Sequence, residues 1–195
     1  MNKIVPPAKP RLSSSELRSL CDSYNVDRDK YPLLIVGIRG YYLNTMGAAN
    51  INDRGIYDDA IFIDSPNVTA SFNANTDPSR SRIGYGKSVN KGMAMLKCGL
   101  WMSYQFGKHK TYAALIQTGG SVTVIRDGNP NYEDSGYFGI NIHRGGYNTT
   151  SSEGCQTIYP DQWSSFISLA TSEAKRISAD GFNKLVIPYI LMENP

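Results

Sequence analysis

Apolar residues come in runs and alternations of strand length, cut by Gly, Pro, Asn and Asp, with a longer helical period near the C-terminus. Residues 33–38 form an unbroken apolar run between Pro32 and Gly40, which predicts a strand buried on both faces. Residues 60–64 and 68–72 flank Ser65-Pro66-Asn67 and predict a hairpin. Further strands are predicted at 93–96, 100–106, 112–117 and 121–126. Over residues 136–143, Phe138, Ile140 and Ile142 alternate and predict a strand ending on His143. A last strand is predicted at 185–190. Pro188 lacks an N–H and so points to a sheet edge there.

Two helices complete the pattern. The serines at 13–15 followed by Glu16 offer a cap for a short helix ending near Asn25. Pro160-Asp161 opens a long helix over 162–178, in which Trp163, Phe166, Ile167, Ala170, Ala174 and Ile177 recur at helical spacing as a packing face. Residues 40–55 and the long polar stretch 73–92 predict loops. Three prolines make residues 1–12 an extended N-terminal arm, and nothing divides 13–195 into two domains. The fold class expected is mainly β, with a short N-terminal helix and one packed C-terminal helix.

Composition narrows the function classes. The chain has 195 residues with 41% hydrophobic residues and 13 tyrosines, too apolar and aromatic for a disordered protein. The net charge of +3 is spread without Lys/Arg runs, so no nucleic-acid partner is expected. No run of apolar residues is long enough for a membrane span. The first residues lack the apolar centre of a secretory signal. The expectation is therefore synthesis in the cytoplasm and, for any work outside it, delivery by another agent. A monomer without cofactors is expected.

The three cysteines, Cys21, Cys98 and Cys155, show no CxxC or Cys/His ligand spacing, so a metal site is not expected. Asp58-Asp59 and Asp64 lack the spaced oxygen ligands of a calcium loop. Arg126-Asp127-Gly128 reads as a turn with a local ion pair. Cys21 and Cys98 read as small apolar filler. Cys155 differs. An apolar strand delivers His143, and a loop rich in small residues (Gly145, Gly146, Ser151, Ser152, Gly154) returns to Cys155. An imidazole that takes a thiol proton makes the sulfur a strong nucleophile, and both halves of such a pair are here. His109, beside Lys108 and Lys110, reads as a solvated turn histidine, with substrate contact as its alternative role.

His143-Arg144-Gly145 followed by Ser152-Glu153-Gly154-Cys155 resembles the H-x-G … S-x-G-C signature of YkuD-type L,D-transpeptidases and their L,D-carboxypeptidase and endopeptidase relatives. The Tyr-Asp-Asp-Ala and Gly-Lys-His-Lys segments are similar to those of phage-borne proteins of this type. The resemblance implies an L,D-transpeptidase-like β-sandwich or barrel as the catalytic domain over 13–195, acting on peptidoglycan stem peptides through a cysteine thioester. Under it Cys155 is the nucleophile and His143 the base. A backbone carbonyl orients the imidazole, the Gly154 and Cys155 amides form an oxyanion hole, and Ser152 orients the turn. Arg144, Gly145, Tyr147, Gln156 and His109 become candidate substrate contacts. Gln156-Thr157 stand where the family carries an apolar residue and an Arg or Asn, which bears on substrate choice. Hydrolysis is expected ahead of transpeptidation, as in a phage lysin. A non-catalytic phage structural or glycan-binding protein that keeps the fold is the alternative. A papain-like enzyme fits less well, because here the histidine precedes the cysteine.

Overall fold

The computed structural model describes residues 4–81 and 91–195. The predicted loop at 73–92 therefore lies partly outside the described residues, and its first three positions belong to a strand. The architecture is mainly β. Strands β1 (Leu34–Arg39), β2 (Asp59–Asp64), β3 (Thr69–Asn75), β5 (Gly99–His109), β6 (Tyr112–Gln117), β9 (Ile142–Arg144), β10 (Gln156–Ile158) and β11 (Ile187–Glu193) close a barrel in the order β1-β11-β5-β6-β9-β10-β3-β2. A smaller sheet, β4-β7-β8, joins β4 (Ala94–Leu96), β7 (Val122–Arg126) and β8 (Tyr132–Gly136). Helices α1 (Ser14–Cys21) and α2 (Pro160–Ile177) pack on the barrel.

Alternation along the strands explains the core. Ile35, Ile61, Ile63, Tyr189 and Leu191 join the apolar side of α2 (Trp163, Phe166, Ala170, Ala174) in one buried cluster. Leu34, Val36, Ile38, Ala60, Phe62 and Ile190 point the other way and are covered by Leu17 of α1. The run at 33–38 is apolar at every position because β1 is buried on both faces. Helix α1 starts as its sequence dictates: the Ser13 hydroxyl caps the Glu16 amide while the Glu16 carboxylate takes the Ser13 N–H at 2.7 Å.

Four expectations are corrected. Pro188 is not at an edge, because β11 lies between β1 and β5; it falls where the register shifts between Ile187 and Tyr189, so no ladder bond is lost. Residues 136–143 are not one strand: β8 ends at Gly136 and β9 begins at Ile142. Between them the buried Gln117 carboxamide takes the place of a partner strand, its Oε1 accepting from Phe138 N at 3.0 Å and Ile140 N at 3.1 Å. Ile177 leaves the packing face and is 40% exposed. Asp127 pairs not locally but with Arg54, in a two-pronged contact of 2.7 and 2.9 Å. The described part of the N-terminal arm runs against the barrel: Tyr57 N donates to Ile4 O, Tyr42 OH to Ala8 O and Ser71 Oγ to Pro10 O.

Candidate functional site

Strands β9 and β10 run parallel, pairing Ile142 with Gln156 and His143 with Thr157. The Gln156 N–H donates to Asn141 O at 2.8 Å, which carries the register back to Cys155. Successive residues face opposite sides, so Ile142 and Gln156 turn into the barrel. His143, Thr157 and Cys155 share the other side. Two residues separated by a loop in sequence thus come to the same side of neighbouring strands, Cys155 two residues before Thr157, the partner of His143.

The His143 ring is 5% exposed, and its Nδ1 lies 2.7 Å from the Arg144 carbonyl. A carbonyl only accepts, so Nδ1 carries the proton and Nε2 the lone pair. Tyr112 brings its hydroxyl to 3.3 Å from the same Nδ1. Burial, reinforced by the neighbouring His109, pushes the imidazole down to about 4. His143 is consequently neutral at pH 7 and able to take a proton. The Cys155 sulfur accepts from Asn141 N and reaches the Gly139 carbonyl, both at 3.4 Å. None of the three cysteines is in a disulfide.

The turn before Cys155 is a clasp. Ser152 Oγ accepts from Gly154 N at 3.0 Å and donates to Cys155 O at 2.7 Å. Ser152 thus ties the turn together, and its contact with Gly154 N occupies that amide, which was expected in an oxyanion hole. Gln156 is corrected as well. It is fully buried, with Oε1 bonded to Tyr189 OH at 2.9 Å and Nε2 to Gly154 O at 3.2 Å, so it braces the turn from inside and cannot touch substrate. Gly145 serves the fold: its N–H joins Ile158 O, and a Cβ there would collide with the Tyr57 hydroxyl at 2.1 Å.

Arg144 and Tyr147 remain at the surface. The Arg144 guanidinium lies 5.2 Å from the centre of the Tyr112 ring. Tyr147 is 62% exposed and donates to Asp161 at the start of α2 at 2.8 Å. His109 is not a solvated turn residue. It ends β5 half-buried, its ring stacked on His143 at 4.0 Å with 6° between planes. The sequence reading missed Asn141 and Tyr112, which sit in strand-like segments where nothing sets them apart from packing residues. A cleft of about 610 Å³ lies elsewhere: it is lined by Arg18, Cys21, Arg28, Pro32, Leu34 and Pro66 and contains neither His143 nor Cys155.

Among the described residues no group of three or more His, Cys, Asp or Glu side chains is arranged to hold a metal ion, and no helix is long and apolar enough to cross a membrane. No protein-family model, curated protein or solved structure matches the chain.

Proposed function

We propose that the chain is a cysteine peptidase of peptidoglycan stem peptides, of the L,D-carboxypeptidase or endopeptidase kind, built on an L,D-transpeptidase-like barrel. The observation that carries this reading is the β9–β10 pairing, which brings Cys155 to the same side of the sheet as an imidazole whose Nδ1–H is spent on the Arg144 carbonyl. That bond leaves the Nε2 lone pair as the base and supplies the orienting carbonyl in place of an Asp. Because His143 is neutral near pH 7, it rests as an imidazole ready to accept a proton rather than as an imidazolium. In the reaction His143 Nε2 takes the thiol proton as sulfur bonds to the scissile carbonyl carbon. The imidazolium then protonates the leaving amine as the C–N bond breaks. Water, deprotonated by the same nitrogen, opens the thioester and returns the thiol. Arg144 offers a surface cation beside Tyr112 and His143 for a substrate carboxylate.

The test is mass spectrometry of purified muropeptides after incubation, with Cys155→Ala and His143→Ala as controls. Hydrolysis adds one water to each cut bond, and both variants lose turnover. The double variant is no slower than either single one, because the two residues act as a unit. A new cross-link would identify a transpeptidase instead. Turnover by Cys155→Ala at the native rate would refute the assignment.

A further inference from the structure

The stacked histidines are held by a residue with no expected role. A backbone N–H only donates, so Gln117 N, 2.9 Å from Asn141 Oδ1, fixes which end of the Asn141 carboxamide is oxygen. Its Nδ2 therefore faces His109 Nδ1 at 3.1 Å and donates. His109 must accept at Nδ1, which places its proton on Nε2 and makes the ring neutral. His143, stacked on it, has the opposite tautomer, because its Nδ1 donates to Arg144 O. The main chain of Asn141 completes the connection, since its N–H donates to the Cys155 sulfur.

We propose that Asn141 and His109 are a positioning pair for the reacting groups: Asn141 holds His109 as the neutral Nε2–H tautomer, and the stacked His109 ring fixes the plane of His143 and shields one of its faces from water. Both residues act through His143 and Cys155, so the proposal rests on the reading of those two as base and nucleophile. The groups around His143 are His109 and Lys110 at the end of β5, Tyr112 on β6, Arg144 on its own strand and Cys155 before β10. Removal of the His109 ring hydrates a face of His143, and a hydrated imidazole is easier to charge.

The experiment is ¹⁵N NMR of the imidazoles across pH in the full chain, run beside muropeptide turnover. The native protein is expected to show the His109 proton on Nε2 and the His143 proton on Nδ1. In His109→Ala the His143 titration midpoint rises from about 4 by about one pH unit or more. The acid limb of turnover moves with it, and kcat falls about tenfold while KM is unchanged. In Asn141→Asp the carboxylate accepts instead of donating, so the His109 proton moves to Nδ1. Should His109→Ala not fold, Asn141→Asp and His109→Phe decide. His109→Phe keeps the flat ring and is expected to leave the His143 tautomer in place and to raise its midpoint less than His109→Ala does. A native His109 proton on Nδ1, or a His143 spectrum unmoved in both His109→Ala and Asn141→Asp, would overturn the proposal. Shifted imidazoles in a protein that turns over no muropeptide would refute the peptidase reading and leave the pair standing. Turnover with unmoved imidazoles would do the reverse.

Discussion

Burial disfavours the thiolate at two of the three cysteines. It pushes Cys21 up to about 11 and Cys98 to about 12. At pH 8 their thiolate fractions are then about 10⁻³ and about 10⁻⁴. The Cys155 sulfur instead sits at a turn of small residues, 3.4 Å from both the Asn141 N–H and the Gly139 carbonyl. Iodoacetamide at pH 8, followed by peptide mapping, is expected to modify Cys155 first and by a wide margin; labelling led by Cys21 or Cys98 would contradict this. His143 and Cys155 were legible because a strand end and a run of small residues are local signals. Gln156 was not, since only closure of the barrel decides that it faces inward. His109 was misread because its neighbours in sequence are lysines, whereas its neighbours in space are Asn141 and His143.

Each short element around the site depends on one position. Gly154 has φ +153°, and a Cβ there would sit 2.3 Å from the Ala94 carbonyl oxygen. That oxygen is backbone and cannot swing aside. Gly154→Ala is therefore expected to lower Tm by about 5 °C or more and to slow Cys155 labelling, as the Ser152 clasp opens. Calorimetry and the labelling assay check both, and an unchanged Tm would show that the turn adapts. Strands β1 to β7 were legible from alternation and apolar runs. Strand β8 was not, because it is a half-exposed edge of polar sequence (Tyr132–Gly136). Strand β10 was hidden by its length of three residues, two of them the buried Gln156 and Thr157. The break at 137–141 was invisible because a side chain, Gln117, takes over backbone bonds that periodicity assigns to a strand.

For the molecule as a whole, buried carboxylates set an unusual pH response. Burial, then the nearby Asp59, pushes Asp58 up to about 8. Asp59 is raised too, by burial and by Asp77. A folded-state value above the unfolded one means that the folded protein holds more protons in between. The stability Asp58 contributes is complete below about pH 4 and declines as pH rises toward 8. His143 works in the opposite direction, its depressed value costing stability as pH falls from 6.5 toward 4. Between pH 6.5 and 8 the carboxylates dominate. Native Tm is expected to fall across that window, and Asp58→Asn, which keeps an acceptor for the Asp53 N–H, falls less. Equal losses in thermal melts would remove Asp58 from the account. Strand order was the part of the fold least visible in sequence, since no local pattern tells β1 that its neighbour is β11.

That neighbour has a consequence for how the protein is made. Strand β11 pairs with β1 on one side and β5 on the other. While a ribosome is still building residues 187–193, the emerging chain holds two facing strand edges with nothing between them. Such edges invite pairing with other chains. The barrel closes only when Ile187–Glu193 has cleared the exit tunnel and can pair with both edges. A messenger truncated just upstream would yield an open sheet prone to aggregation, with the β9–β10 pair present in sequence but no closed wall behind it.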